Sequence, residues 1–241
     1  MGGTGKTTIA ALIVRMLKEK KLGSILAVDA DPNSNLGEAL GLQVDLTVGE
    51  VLDDIAEHPE KVPLGMGKDH FIEYQVQTAI SEGDGFDCLT IGRPEGPGCY
   101  CYVNNTLRNV MARLIKDYDF VIIDNEAGLE HLSRRTTRSA DAFVIVSNET
   151  VVGLKAAKRI KALIKELKIN AKNEFLIINS SANRLEAATA LDLKMDYLGN
   201  VPFDKEIEKI SLNGGSLMKL DTEAESYNRL KIIGEKIWQC N

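Results

Sequence analysis

The stretch Gly2-Gly3-Thr4-Gly5-Lys6-Thr7-Thr8, which runs directly into the apolar sequence Ile9-Ala10-Ala11-Leu12-Ile13, decides the fold. Glycine carries no Cβ, so these glycines allow backbone N–H groups to turn inward around a chain of phosphates. A helix that begins near Lys6 points the positive end of its dipole at the same phosphates. The pattern therefore predicts a phosphate-binding loop rather than an ordinary glycine-rich turn.

Each polar side chain of this loop has an expected role. The ammonium group of Lys6 supplies a mobile charge for the β- and γ-phosphates, and the hydroxyl of Thr7 is the expected Mg²⁺ ligand. The backbone of the loop supplies the other contacts. The predicted set of nucleotide-binding residues is Gly2, Gly3, Thr4, Gly5, Lys6, Thr7 and Thr8.

The chain in front of the loop is shorter than the full pattern requires. The pattern G-x-x-x-x-G-K-[ST] places its first glycine one position before Met1, and a buried β-strand before that glycine. In the deviant form, Lys-Gly-Gly-x-Gly-Lys-Thr, a second lysine reaches the partner's nucleotide across a dimer interface, and Met1 stands in its place here. We therefore expect this chain to lack the first strand, its sheet to be destabilised, and its ATP hydrolysis to be weak or absent.

The composition is that of one globular domain. The 241 residues are 44% hydrophobic and 27% charged, which suits a single α/β domain over residues 1–241. The net charge of −6 argues against nonspecific binding to nucleic acid or to an anionic membrane surface. No apolar run reaches the ~18 residues of a transmembrane helix and no leader opens the chain, so we expect a cytoplasmic protein.

Apolar runs alternate with helical patterns along the chain. The predicted strands are 25–28, 71–80, 86–91, 119–124, 142–147, 174–179 and 198–203. The predicted helices are 9–20, 36–42, 48–58, 104–118, 151–167, 204–210 and 222–238, and the Gly/Pro-rich segments 59–70 and 92–101 are expected to be irregular. This alternation predicts an α/β fold, a mostly parallel twisted sheet with helices on both faces, whose ligands bind at the carboxyl ends of the strands.

Aspartates end two predicted strands where a phosphate-loop enzyme needs acids. Asp124 follows four large apolar residues, and we expect it to hold Mg²⁺ through a water and to sense the γ-phosphate together with the N–H of Gly128. We expect Asp31 to orient or deprotonate the attacking water. The alternative for both is N-capping of a helix, which is common for aspartate after a strand. Asn35 is a candidate contact to Mg²⁺-bound water, whereas Asp29 is expected to cap or brace.

Asn179 is a candidate reader of the base. It follows the apolar run Phe175-Leu176-Ile177-Ile178, and its side-chain amide offers one donor and one acceptor to an adenine edge. A turn-forming asparagine is the alternative. The sequence contains no Asn-Lys-x-Asp motif, so guanine has no support and ATP is the predicted nucleotide.

Cys99-Tyr100-Cys101 lies in the second Gly/Pro-rich segment. Two thiolates this close can share one soft metal ion, but structural zinc takes four ligands, and no matching Cys or His pair lies elsewhere in the sequence. Two subunits that each contribute the pair would supply four sulfurs, which suits Ni²⁺, Zn²⁺ or an iron–sulfur cluster. The alternative is a pair of ordinary loop thiols. Cys88 lies in an apolar run and is expected in the core.

Four motifs carry a resemblance to a known family. They are Gly-Gly-Thr-Gly-Lys-Thr-Thr (2–8), Val-Asp-Ala-Asp-Pro-Asn-Ser-Asn-Leu (28–36), Gly-Arg-Pro-Glu-Gly-Pro-Gly-Cys-Tyr-Cys (92–101) and Asp-Asn-Glu-Ala-Gly-Leu-Glu-His-Leu-Ser-Arg-Arg (124–135). Together they resemble the carbon monoxide dehydrogenase maturation ATPases, within the MinD-like branch of deviant phosphate-loop ATPases. The first two motifs are shared with the whole branch, and the last two are far more particular.

The resemblance implies a homodimeric ATPase, bridged by metal and nucleotide, that binds nickel through Cys99 and Cys101. Its expected target is carbon monoxide dehydrogenase, with acetyl-CoA synthase as a close variant, and no nucleic acid or membrane is implied as a partner. Lys6 and Thr7 would hold phosphate and Mg²⁺, while Asp31 and Asp124 would serve hydrolysis and switching. Met1, which replaces the second lysine of the deviant loop, is the departure from the family.

Two other classes of protein fit part of the sequence. Nitrogenase iron protein has a similar cysteine loop, but that family takes a second ligand from the loop after the strand that ends at Asp124, and 125–138 contains no cysteine. Partitioning and division-site ATPases bind DNA or membrane and usually end in a basic amphipathic helix. Residues 222–241 are mixed in charge, and the pair of cysteines would have no role in such a protein.

Overall fold

The computed structural model describes residues 3–92, 101–126, 139–181 and 195–238, with the backbone alone for 101–107. Its helices are α1 (Lys6–Lys20), α2 (Leu36–Leu40), α3 (Val48–Glu57), α4 (Lys68–Thr78), α5 (Cys101–Leu114), α6 (Val151–Glu166), α7 (Lys205–Leu212) and α8 (Glu225–Trp238). Its strands are β1 (Ile25–Ala30), β2 (Ile80–Gly83), β3 (Phe86–Thr90), β4 (Phe120–Asn125), β5 (Ser139–Ser147), β6 (Asn170–Ser181) and β7 (Asp196–Pro202).

The strands form two sheets. The first has the order β2-β3-β1-β4, in which β1 is parallel to both β3 and β4, and β2 is antiparallel to β3. The second has the order β5-β6-β7 and is parallel throughout. Helices separate most of the strands along the chain, so the predicted α/β fold with a mostly parallel sheet is confirmed.

Helix α1 supplies much of the core that the two sheets share. Every residue from Ile9 to Leu17 is buried, as expected for a helix that is covered on all sides. Phe120 and Ile122 of β4 pack against the same cluster of side chains as Val144 and Val146 of β5. Both sheets are therefore held by one continuous core.

Within the described residues, β4 and β5 each pair with a strand on one side only. Residues 120–123 of β4 are consequently half-buried, although the run of four large apolar side chains predicts a fully buried strand. That prediction is wrong, because a strand without a second neighbour keeps part of its surface accessible. The strand that the full phosphate-loop pattern places before the glycine-rich loop has no counterpart in the described ranges.

Two local predictions are wrong on the amino side of β3. Residues 71–80 were expected to form a strand and residues 59–70 to be irregular, but Lys68–Thr78 forms helix α4 and Pro59–Lys61 forms a short 3₁₀ helix. The burial of Ile72 and Val76, four residues apart, follows the helical period, which the aromatic and β-branched residues of this segment obscure. Strand β2 was not predicted; it forms a hairpin with β3 through a two-residue turn in which Gly85 adopts φ +80°.

The other elements begin and end within a few residues of their predicted bounds. Helix α1 starts at Lys6, so the side chains of the glycine-rich loop lie directly at its first turn. A stretch with the length and hydropathy of a membrane span does not occur among the helices in the described ranges.

The open edges of β4 and β5 lead to a test of the sheet. We expect a segment of about six apolar β-branched residues, fused in front of Met1, to pair between these two strands. Burying even one or two of its side chains should raise the free energy of unfolding by roughly 2 kcal/mol or more. Urea unfolding would measure the gain, and slower amide hydrogen exchange in β4 and β5 would locate it.

The matched control is the same extension with two prolines in its centre. Proline has no N–H to donate to a strand ladder, so this version should give no gain. Equal stability of the two extended chains would show that the added residues do not pair.

Candidate nucleotide site

The glycine-rich loop leaves the first turn of α1 open to a ligand. Gly5 is the N-cap residue with φ +81° and has no side chain that could cap the N–H groups of the first turn. The first turn contains no acidic residue, and Gly3 also has a positive φ of +89°. Unsatisfied N–H groups at the positive end of a helix are suited to an anion, so the loop fits a phosphate group.

The loop is bonded to the second sheet through Asn179, which ends the apolar run of β6. The side-chain Nδ2 of Asn179 donates to the backbone carbonyl of Thr4 at 3.0 Å, and the residue is buried. A Cβ at Gly5 would lie 2.1 Å from the same Nδ2, so only glycine allows this approach. In this structure the amide holds the loop, and its contact with adenine stays a prediction.

The loop is bonded to the first sheet through Thr7 and Asp124. The Thr7 hydroxyl donates to Asp124 Oδ2 at 2.5 Å, and Asp124 is only 3% exposed at the end of β4. Burial raises the pKa of Asp124, while the hydrogen bond from Thr7 and the charge of Lys6 oppose that rise. A hydroxyl beside a carboxylate is the arrangement expected of a Mg²⁺ site, in which Thr7 would bind directly and Asp124 through water.

Asp29 lies in the middle of the polar end of the first sheet. It pairs in register with Thr90 of β3 and Asp124 of β4, and it is fully buried. Its carboxylate accepts the N–H of Asp31 at 3.1 Å and the N–H of Leu36, the first residue of α2, at 2.8 Å. The expectation that Asp29 caps or braces is confirmed. Burial raises its pKa to about 6.

Asp31 lies in the loop between β1 and α2 and does not cap a helix. Its Oδ1 accepts the backbone N–H of Asn33 and the Asn33 side-chain amide, both at 2.9 Å, and the carboxyl is half-buried. Its negative charge contributes to the raised pKa of Asp124, as the positive charge of Lys6 opposes it. Of the predicted catalytic residues, Lys6 and Asp31 therefore each act electrostatically on Asp124. Asn35 is exposed at the start of α2.

Several predicted site residues are not part of this geometry. Gly2, Gly128 and Cys99 lie outside the described residues, and Cys101 is described only as the first backbone position of α5. No group of three or more His, Cys, Asp or Glu side chains suited to a metal ion occurs in the described part of the chain. Cys88 is 1% exposed, so the prediction that it belongs to the core is confirmed.

Sequence reasoning missed two features of the site. The bond from Asn179 to Thr4 was not foreseen, because an amide at a strand end can serve a ligand or the backbone equally well. The row of polar residues across three strands, Thr90-Asp29-Asp124, was also missed. A signal was available for the row, since each of these residues comes at or near the end of an apolar run.

The raised pKa of Asp29 predicts a specific dependence of stability on pH. Between the ordinary pKa of 3.8 and the folded value of about 6, the folded state binds more protons than the unfolded state. The stabilising contribution is complete below pH 3.8 and is lost as pH rises through about 6. Relative to Asp29→Asn, the free energy of unfolding of the wild type should fall by roughly 3 kcal/mol over this window, as measured by urea unfolding at several pH values.

Asp119→Asn provides the opposite case. Hydrogen bonds from the backbone N–H and hydroxyl of Ser24 lower the pKa of Asp119, so its contribution is lost as pH falls rather than as pH rises. Parallel pH profiles for the wild type and Asp29→Asn would contradict the prediction for Asp29.

Comparisons with known proteins agree with this geometry. The MJ0685 protein of Methanocaldococcus jannaschii, described as an uncharacterized ATP-binding protein, is 42% identical and covers 98% of this chain and 95% of its own length. The carbon monoxide dehydrogenase accessory protein CooC of Rhodospirillum rubrum is 30% identical, over 91% of this chain and 87% of that protein.

A solved structure has the same fold. The septum site-determining protein MinD of Pyrococcus horikoshii OT3, complexed with Mg-ADP, superposes with a TM-score of 0.72 over 98% of this chain and 92% of its own, at 23% identity. The family model of the CobQ/CobB/MinD/ParA nucleotide binding domain matches residues 1–217. The chain therefore belongs to the CobQ/CobB/MinD/ParA family of nucleotide-binding proteins, the family of the MinD- and ParA-like P-loop ATPases.

Proposed function

We propose that this protein is an ATP-dependent, nickel-binding metallochaperone that dimerises and assists insertion of nickel into carbon monoxide dehydrogenase or acetyl-CoA synthase. The observation that carries the proposal is the Cys99-Tyr100-Cys101 sequence in a chain that is 30% identical to CooC over 91% of its length. The nucleotide-site residues are common to the whole family and do not distinguish one function from another. The pair of thiols has no part in binding nucleotide, so it supports a separate role in binding metal.

The nucleotide of this function is ATP with Mg²⁺, and the open N-terminus of α1 supports it. The N–H groups of the loop and the ammonium group of Lys6 would bind the phosphates, and Thr7 with Asp124 would hold the ion. Mg²⁺, when bound, neutralises charge on the phosphates during transfer. Asp31 would orient the attacking water from the loop after β1.

Nickel is the cargo, and a dimer supplies its ligands. Each chain offers the two sulfurs of Cys99 and Cys101, so two chains give the four thiolates that suit a soft divalent metal, including Zn²⁺ in the same place. The subunits would be bridged by both metal and nucleotide. The net charge of −6 disfavours nucleic acid and anionic membranes as partners, and the cytoplasm is the proposed location.

The path of the chain could couple the proposed nucleotide site to the proposed metal site. The N–H of Ile91 donates to the carbonyl of Asp29 at 2.8 Å, two residues before Asp31. The segment that holds the cysteines follows Ile91 and leads into α5 at Cys101. ATP binding would close two subunits and gather the thiolates, and hydrolysis would release the loops at Asp31 and Asp124 and loosen the metal.

Two alternatives keep specific support. The similarity to MinD proteins fits a partitioning or division-site ATPase, which salt-sensitive binding to DNA or co-sedimentation with liposomes would favour. The cysteine loop also resembles that of an iron–sulfur electron-transfer ATPase like nitrogenase iron protein, although residues 125–138 lack the second cysteine ligand of that family. A brown colour in anaerobically purified protein would favour that alternative.

The proposal predicts one Ni²⁺ per dimer, with affinity coupled to ATP. Nickel titration combined with a mass measurement of the oligomer should be done on this chain and on an extended version, in which a strand and the second lysine of the deviant loop are added in front of Met1. The double variant Cys99→Ser/Cys101→Ser should lose the bridging metal and keep ATP binding, because serine hydroxyls are poor ligands for soft metals.

Two variants serve as controls. Cys88→Ala removes a buried thiol and should leave nickel stoichiometry unchanged, whereas Lys6→Ala should abolish the effect of ATP and leave the thiolates intact. Unchanged nickel stoichiometry in the double cysteine variant would contradict the nickel proposal. If the extended version forms no metal-bridged dimer, a partitioning or division-site ATPase becomes the favoured function.

A further inference from the structure

The loop between β1 and α2 is held at both ends by a single side chain. Asp29 Oδ1 accepts the N–H of Asp31 at the start of the loop, and Asp29 Oδ2 accepts the N–H of Leu36 at its end. The two oxygens of one carboxylate therefore fix the distance between the ends of the segment that carries Asp31 and Asn35.

The carboxylate and its far anchor are both rigid. Asp29 is fully buried and lies in ladder register between Thr90 and Asp124. Leu36 is also fully buried, within the same core cluster as residues of α1. Because neither end can shift without disturbing the core, the orientation of the loop follows from the position of Asp29.

The other hydrogen bonds of this loop in the described structure are internal to it or lead into α2. The Ser34 N–H donates to the carbonyl of Asp31 at 3.0 Å, with Ser34 at φ +52°, and Asn33 bonds the Asp31 carboxylate. These contacts give the loop its shape, but they do not attach it to the sheet. Among the described residues, that attachment comes from Asp29 and the buried side chain of Leu36.

We propose that Asp29 is a positioning residue for ATP hydrolysis, which holds Asp31 in place relative to Thr7 and Asp124 without touching the nucleotide. This role rests on the proposed ATPase function. A carboxylate suits the task because two N–H donors converge on it and each needs an oxygen. Asparagine keeps one acceptor and turns an NH₂ group toward the other N–H, so one of the two anchors must be lost.

The test compares Asp29→Asn with the matched variant Asp119→Asn. Asp119 also accepts a backbone N–H, that of Ser24 at 2.8 Å, but it lies one residue before β4 at the opposite end from Asp124. In Asp29→Asn we expect the amides of Asp31 and Leu36 to exchange hydrogen about tenfold faster, the factor for losing one charge-assisted hydrogen bond. In Asp119→Asn the exchange of these two amides should match the wild type.

Kinetics separate positioning from a purely structural role. In Asp29→Asn, kcat for ATP hydrolysis should fall about tenfold, while KM for ATP changes little, because Asp29 is fully buried and both of its carboxylate oxygens accept backbone N–H groups of the loop. The parent for these assays is the extended version, with a strand and the second lysine added in front of Met1. Faster exchange with unchanged kcat, or lower kcat with unchanged exchange at Asp31 and Leu36, would overturn the proposal.

Failure of the ATPase function can be told apart from failure of this inference. If the parent does not hydrolyse ATP, the proposed function fails, while the exchange rates still decide whether Asp29 holds the loop. If Asp29→Asn does not fold, exchange in the parent decides: Asp31 and Leu36 should be protected, and Asn35, whose N–H has no acceptor in the described structure, should exchange quickly. Rapid exchange of the Asp31 and Leu36 amides in the parent would refute the proposal that Asp29 holds both ends of the loop.

Discussion

The glycine-rich loop is bonded to both sheets, and the geometry of the site depends on these two attachments. On one side the Thr7 hydroxyl meets Asp124 at the end of β4, and on the other the Asn179 amide meets the carbonyl of Thr4 at the end of β6. The loop thus spans the separation between the sheets, where no strand ladder joins β4 to β5 in the described residues. These two hydrogen bonds fix the position of the loop, and the loop provides the proposed phosphate contacts.

Burial of carboxylates at the end of the first sheet lowers the stability of the folded state. Asp29 and Asp124 are adjacent in the ladder, both are buried, and burial raises the pKa of each. Backbone N–H groups and a hydroxyl are their hydrogen-bond donors here, with Lys6 as a nearby charge. A bound cation would offset part of this cost, which agrees with the chemistry proposed for Thr7 and Asp124.

The sequence predicts those parts of the site whose position depends on the direction in which the strands run. Parallel strands end at one edge, so the contact between Thr7 and Asp124 follows from the loop motif and from the apolar run before Asp124. The contact of Asn179 with Thr4 could not be predicted, because it depends on how closely Gly5 approaches β6. Residues 71–80, most of which belong to the helix Lys68–Thr78, were predicted as a strand, since aromatic and β-branched residues mask the four-residue period of that helix. Cys99 lies outside the described residues, so its role still rests on the sequence and on similarity to CooC.

The division of the strands into two sheets bears on how cooperatively the molecule unfolds. A ladder transmits order from strand to strand, whereas in the described residues the two sheets are joined by side-chain packing and by the hydrogen bonds of the glycine-rich loop. The sheets therefore form separate units that can open at different free energies. A nucleotide bound to the whole loop would couple the unfolding of the two units. Nucleotide would therefore make the unfolding transition more cooperative and raise its midpoint.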